Sequence, residues 1–365
     1  MKKVVILHTA IWEQAMGGAE LQILYLIQEL KKVNVEIHYI FEDKGNKLEN
    51  KLGIKLRPIK KINIPKKFGE RWILYKKKVC RILNHIKPDI IYTRTYSSWS
   101  GIAANYSLKN NIIHIWAIAH DNDIPKSTKK VSFFRPLDLI AKKFILSAIS
   151  NSTNIIVQNN FQKNLLLKYY NRNSILITQS AHIFDENLID KDYKTIKVLW
   201  VANLKPVKKP KKFIEICREF NSNENISFKM IGRIGKYKML IEEAESEISN
   251  FQYLGELKND EVNELLRTHH IIINTSDAEG FSNTFVQAWM RKVIVISMNS
   301  NPDKIITSNG IGYVESDLNK IIKILNDLIN NNMKIKELGD KAYKYAIQYH
   351  STKKNLDKII KLMNL

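Results

Sequence analysis

From its first residues to about residue 315 the sequence alternates between short apolar runs of strand length and longer segments of helical periodicity. Strand-like runs fall at 3–8, 35–41, 90–93, 112–118, 154–158 and 175–178. They resume at 197–201, 227–231, 251–254, 271–274 and 293–296, with a weaker one at 312–315. Helical patterns lie between them, notably at 19–31, 72–86, 132–149 and 162–170. Strands separated by helices pair in parallel through crossovers, so this order predicts α/β architecture with helices on both sheet faces. A chain of 365 residues can bury two cores of ordinary domain size. The polar stretch 180–195, with Asp185, Glu186, Asp190, Lys191 and Asp192, is the expected boundary, and only helical patterns follow residue 318. We therefore expect two doubly wound, Rossmann-like domains, 1–185 and 186–345, facing an inter-domain ligand crevice, with 346–365 a C-terminal helix.

No apolar run approaches the ~20 residues of a membrane span. The longest, 112–119, is interrupted by His114, and His8 and Glu13 cut short any signal-peptide reading of the N-terminus. Cys80 and Cys217 offer neither metal spacing nor a disulfide framework, which points to the cytoplasm. The net charge of +22 is uneven: residues 1–190 carry 30 basic and 15 acidic side chains, residues 191–365 carry 28 and 21. Residues 51–87 hold 13 basic side chains against the single acid Glu70, interleaved with Ile64, Phe68, Trp72, Leu74, Val79 and Leu83. That is the composition of a basic amphipathic helix on an anionic membrane surface. A lysine-rich composition from codon bias gives the same excess without a partner. Nucleic-acid binding is not expected, because no nucleic-acid module accompanies the charge.

The most informative stretch is Glu279-Gly280-Phe281-Ser282-Asn283-Thr284, between the apolar run 270–274 and the helical pattern of Phe285, Val286, Ala288, Trp289 and Met290. A strand, a short loop and a helix start present backbone N–H groups that favour an anionic ligand. Ser282 or Asn283 can cap the helix, and Gln287 sits one turn inside it. The segment resembles the E-x7-E region of retaining nucleotide-sugar glycosyltransferases of family 4, the glycosyl transferases group 1, where the pattern is E-G-F-P-N-x-x-x-E-A. Glu279, Gly280, Phe281, Asn283 and Ala288 match in register. Ser282 replaces the proline and Gln287 the second glutamate.

The resemblance extends to further motifs. Gly17-Gly18-Ala19-Glu20 is similar to a glycine loop facing the donor diphosphate and acceptor. Ala202-Asn203-Leu204 with Lys208 is similar to G-R-L-x-x-x-K, whose cations neutralise the departing diphosphate; Lys208 falls on the lysine and the uncharged Asn203 on the arginine. Gly232-Arg233-Ile234-Gly235 corresponds to a G-x-G turn. There Arg233 either supplies the charge missing at Asn203 or is simply exposed. Tyr253-Leu254-Gly255 resembles a base-contacting loop, with strand-end packing the alternative for Tyr253. His120, at a strand end, matches a histidine that contacts the donor sugar.

Asp121-Asn122-Asp123 spells the D-x-D of metal-dependent single-domain transferases, a lower alternative because the cation-plus-helix scheme needs no metal. Arg94, at another strand end, faces either an anionic acceptor or a salt bridge.

What the resemblance implies is a GT-B fold, its last helix returning to the first domain, and retaining transfer from a nucleotide-diphosphate sugar, UDP- or GDP-linked, to a glycan or lipid-linked acceptor in envelope polysaccharide synthesis. No further cofactor is required. Glu279, Lys208 and His120 would serve catalysis, with Gly17, Gly18, Asn203, Arg233, Leu254, Gly280, Phe281, Ser282, Asn283, Thr284 and Gln287 at the donor. The changes at Asn203 and Gln287 leave a second reading, a weakened sugar-nucleotide-binding or regulatory subunit.

Overall fold

The computed structural model describes residues 1–124, 136–189, 191–277 and 280–365. The chain forms two compact units, Met1–Ser180 with Thr352–Leu365, and Ala181–Ser351. In the first, β1 (Lys2–Leu7), β2 (Val35–Asp43), β3 (Lys55–Lys60), β4 (Ile90–Arg94), β5 (Ile113–Ala117), β6 (Asn154–Val157) and β7 (Ile175–Leu176) make one parallel sheet. Its order is β3-β2-β1-β4-β5-β6-β7. The central strands are buried on both faces, which is why they read as continuous apolar runs rather than alternating ones. One face carries α1 (Gly18–Leu30); on the other lie α2 (Lys76–Ile86), α3 (Ser98–Asn110), α4 (Pro136–Asn151) and, near the sheet edge, α5 (Asn160–Tyr170).

The second unit repeats the plan. Strands β8 (Ile196–Val201), β9 (Ile226–Ile231), β10 (Phe251–Tyr253), β11 (Ile271–Asn274), β12 (Ile294–Ser297) and β13 (Gly312–Val314) pair in parallel in the order β10-β9-β8-β11-β12-β13. Between and after them run α6 (Pro210–Glu219), α7 (Lys238–Glu247), α8 (Asn259–Thr268), α9 (Asn283–Trp289), α10 (Ile305–Ser308), α11 (Leu318–Asn330) and α12 (Asn332–His350). The final helix, α13 (Thr352–Leu362), belongs to the first unit, where Leu356, Ile359 and Ile360 share a core with Leu26, Ile27 and Leu30 of α1. By contacts the units divide after Ser180 and after Ser351, within a few residues of the expected 185 and 346, and α12 runs unbroken through 346.

The basic segment 51–87 is not one amphipathic helix. Lys55–Lys60 is an edge strand, where exposed lysines and Pro58 keep the edge from pairing further. Two short turns, Lys66–Phe68 and Arg71–Tyr75, follow before α2 begins. The second is anchored by the buried carboxylate of Glu42, which accepts from Arg71 Nε at 3.0 Å and from the Tyr75 hydroxyl. Of the segment, α2 alone has a helical apolar stripe, Val79, Leu83 and Ile86, opposite exposed Lys76, Lys77, Lys78 and Arg81. The part of the 132–149 pattern before residue 136 lies outside the described residues.

Three histidines are built into the two cores without charge. His114, between Thr93 Oγ1 at 2.9 Å and Ser152 Oγ at 3.0 Å, is pushed down to about 3 by burial. Burial likewise pushes His269 to about 4 and His270 to about 3, the latter accepting from the Lys197 N–H at 2.9 Å. Their folded pKa values lie below the ordinary ~6.5, so between that value and about 4 the unfolded chain binds more protons and stability falls with falling pH. We expect the thermal midpoint to drop as pH is lowered through this window. His270→Asn, which keeps an acceptor for Lys197 but does not titrate, should flatten that drop in thermal unfolding followed by circular dichroism.

Candidate donor and acceptor sites

In an open parallel sheet, ligands sit beyond the strand C-termini where the strand order reverses. In the second unit that point is the β8/β11 pair, and the candidate donor motifs lie on the loops leaving these strands and their neighbours. The loops are knitted together by backbone. The Ala202 N–H donates to Ile231 O at 3.0 Å, Leu204 N–H to Arg233 O at 2.9 Å, and Gly232 N–H to Gly255 O at 2.8 Å. Asn203 Oδ1 accepts from the Arg233 N–H at 3.1 Å, and the Tyr253 hydroxyl donates to Gly232 O at 2.5 Å. Tyr253 is thus strand-end packing, and the Leu254 N–H bonds Met230 O at 2.9 Å.

Lys208 ends a short turn, Pro206–Lys208, before α6. Its carbonyl accepts from Thr275 Oγ1 at 2.7 Å, and the Trp200 indole donates to that same hydroxyl at 2.9 Å. The Asp277 N–H reaches Val207 O at 2.9 Å, and Lys209 pairs with the Asp277 carboxylate. These ties lock the loop after β8 onto the loop after β11. Thr275, Asp277 and Lys209 escaped the sequence reading because nothing in their spacing marks a loop-to-loop bond.

Beyond Asp277 the chain reaches Gly280 and Phe281, both buried, the Phe281 ring lying 5.1 Å from His350 and 6.4 Å from Trp289. Ala278 and Glu279 lie outside the described residues. Ser282 occupies the N-cap of α9 but its hydroxyl makes no capping bond, and Asn283 and Thr284 open the helix half-buried. Gln287 is buried, its amide donating to Asn259 Oδ1 at the start of α8 at 3.2 Å. The Arg233 guanidinium is exposed and forms a two-bond pair with Glu256 at 2.8 and 3.0 Å. The hydrogen bond and charge of Glu256 raise Arg233, and Arg233 lowers Glu256. Asn203 and Arg233 are therefore neighbours through backbone, while the guanidinium itself is turned to Glu256.

In the first unit the order reverses at β1/β4. Gly17, exposed, is the N-cap of α1, and Gly18 is its first residue. A Cβ on Gly17 would come within 2.7 Å of Glu20 Oε2, so the Glu20 carboxylate folds back against this glycine. Its other oxygen meets His8 Nε2 at 2.9 Å, and His8 Nδ1 faces Arg94 O at 3.1 Å. Burial pushes the Glu20 carboxyl up, but the hydrogen bond and charge of His8, with its own N–H and Lys44, outweigh it and leave it lowered.

His120 caps a turn, Asp121–Asp123, its Nδ1 accepting the Asn122 N–H at 3.0 Å. The proton of the neutral ring is thereby placed on Nε2, which is left as a donor. Asp123 accepts from the Ala119 and His120 N–H groups at 2.7 and 3.0 Å, and burial raises its carboxyl despite them. Asp121 accepts from Gln162 at 2.8 Å and Asn159 at 3.3 Å. Asp123 thus holds the turn together and Asp121 ties it to the start of α5, and among the described residues no cluster of three or more His, Cys, Asp or Glu forms a metal site.

Two parallel-sheet Rossmann-like units are the architecture of the GT-B glycosyltransferases. Residues 152–349 match the family model for glycosyl transferases group 1, and residues 16–177 that for glycosyltransferase family 4. The chain belongs to the glycosyl transferases group 1 family. No curated protein matches its sequence. Among solved structures, HepE from Anabaena, in complex with UDP and glucose, superposes with a TM-score of 0.76 at 16% identity over 100% of both chains. Sucrose-phosphate synthase from Thermosynechococcus elongatus gives 0.78 at 9% identity, covering 100% of this chain and 98% of that one. A TarM variant from S. aureus, in complex with fondaparinux, alpha-GlcNAc-glycerol and UDP, gives 0.70 at 14% over 100% of both. At these identities the likeness is one of fold.

Gly232 supplies the sharpest test of the knitted loops. Its φ is +140°, and a Cβ there would lie 1.8 Å from Ala202 O. Gly232→Ala should cost about 2–4 kcal/mol, lowering the thermal midpoint by several degrees. It should also weaken nucleotide binding, measured by calorimetry on the folded fraction.

Proposed function

We propose that the protein is a retaining glycosyltransferase that moves a sugar from a UDP- or GDP-sugar to a hydroxyl of a glycan or lipid-linked glycan in envelope polysaccharide synthesis. The observation that carries this reading is the bonded set of loops at the β8/β11 switch point, where Asn203, Lys208, Arg233 and the approach to Ser282 share one sheet edge. Glu279 hydrogen-bonds the transferred sugar and stabilises positive charge developing on its ring. Gly280, Phe281, Ser282, Asn283 and Thr284 offer backbone N–H groups to the sugar and diphosphate. Lys208 neutralises the departing phosphate, aided by Arg233 once its exposed pair with Glu256 opens. The Leu254 loop meets the base, and Gln287 meets the ribose on exchanging its Asn259 bond. In the first unit His120 donates from Nε2 to a sugar hydroxyl, and the backbone at Gly17 and Gly18 admits a close approach. The donor is a co-substrate, and the scheme needs no further cofactor.

Among the described residues no helix is long and apolar enough to cross a membrane. The lysines of α2 and the exposed Phe68 and Leu74 beside it support a cytoplasmic enzyme lying on an anionic membrane surface. A second reading, a binding or regulatory subunit, is favoured by the commitment of Asn203 and Gln287 to protein partners.

A screen of UDP-, GDP- and ADP-sugars, read by released nucleotide, should find turnover with a UDP- or GDP-sugar. Glu279→Gln should cut that turnover roughly 10²-fold or more while leaving nucleotide affinity within a few-fold. Nucleotide binding without turnover, even with acceptor extracts, would favour the regulatory subunit. In flotation assays the protein should rise with anionic vesicles and stay behind with neutral ones. Equal behaviour with both would remove the membrane surface from the account.

A further inference from the structure

Arg94 ends β4 at the first unit's switch point, and only 6% of it is exposed. Its Nη2 donates to Gln179 Oε1 at 2.9 Å and its Nη1 to the Tyr92 hydroxyl at 3.2 Å, while Nε has no partner. Among the described residues no carboxylate lies within ion-pair distance of it. A guanidinium keeps its charge under all working conditions and carries five N–H donors. Burying it among neutral groups is unfavourable, since neither charge nor hydrogen-bonding capacity is met. Elsewhere in the same unit the fold does supply a counter-charge to an arginine: Arg71 is met by the buried Glu42. Arg94 has no such partner, so its charge is not explained by holding the fold together.

Its surroundings are those of a ligand edge. Thr95, next in the chain, has φ +74°, a conformation that a β-branched residue adopts only when the structure imposes it. The strained turn is held by the Thr95 carbonyl, which accepts from the Trp116 indole at 2.9 Å and Ser100 Oγ at 3.1 Å. Across the switch point, His8 bonds the Arg94 carbonyl. Tyr92 and Gln179 fix the plane of the guanidinium from two sides, leaving Nε–H and one N–H on each terminal nitrogen.

We propose that Arg94 is an oxyanion-binding residue of the acceptor site, taking a phosphoryl or carboxyl group carried by the sugar acceptor. This rests on the glycosyltransferase reading and narrows it to an anionic acceptor.

The test is a calorimetric titration of the UDP-saturated protein with glycerol 3-phosphate, with glycerol as the neutral control. Glycerol 3-phosphate should bind and glycerol should not. Arg94→Gln should weaken that binding roughly 10- to 100-fold, the range carried by hydrogen bonds to charged groups, and Arg94→Lys should lose less. The same comparison with phosphatidic acid vesicles, where loss of binding in Arg94→Gln likewise supports the site, tells a lipid-borne phosphate from a soluble one. Glycerol 3-phosphate binding no better than glycerol, or binding folded Arg94→Gln as it binds the wild type, overturns the proposal. If Arg94→Gln does not fold by circular dichroism, the wild-type pair of titrations decides. Failure of UDP to bind at all is a separate outcome, which sinks the donor reading itself.

Discussion

The Thr275 hydroxyl is the joint on which the second unit's site depends. It receives the Trp200 indole N–H from the core and donates to the carbonyl of Lys208, so the end of β11 fixes the loop that follows β8. The same hydroxyl also lies 3.1 Å from the Lys209 carbonyl, so it holds two successive peptide groups of that loop, while loss of the hydroxyl would leave the buried Trp200 N–H without its acceptor. Because Lys208 is held through its backbone, its side chain starts from a fixed point beside the β11–α9 connection. In the proposed donor site, that fixed origin is what would let the Lys208 cation meet a leaving phosphate.

The other half of the edge is held by sterics. Gly232 runs so close to the Ala202 carbonyl that no side chain fits, which brings the loops after β8, β9 and β10 into one bonded layer. The first unit uses side-chain hydrogen bonds for the same purpose. The His8–Glu20 bond ties the end of β1 to the first turn of α1, and the β4 end is braced by the His8 bond to Arg94. The two units thus reach a similar arrangement, loops fixed at the point of strand reversal, by different physical means.

The alternation of apolar runs made both sheets legible, because doubly buried parallel strands leave unbroken apolar stretches. It missed β3, whose Lys55, Arg57, Pro58 and Lys60 belong to an edge strand and carry no apolar run. Register against a family pattern singled out Lys208 from its lysine neighbours, and the glycine of Gly232 was readable as a turn. The reason for that glycine was not, since Ala202 lies thirty residues away in sequence and adjacent only in space. Gln287 reads as a polar residue facing a crevice, yet it is buried against Asn259, a partner that no local period predicts. The D-x-D tripeptide offers metal chemistry as a lower alternative, and its carboxylates accept from backbone and amide donors that its sequence does not announce. Short motifs fix residue types, while the bonds that give them a role come from chain segments far away.

The central claim is that Lys208, held at the β8/β11 edge, recognises a diphosphate. Calorimetric titration of the wild type and Lys208→Ala with UDP and with uridine tests it directly. The account predicts that the wild type binds UDP at least roughly 10-fold tighter than uridine, and that Lys208→Ala loses most of that preference. Equal binding of UDP by the two proteins, or no preference for UDP over uridine in the wild type, would contradict it.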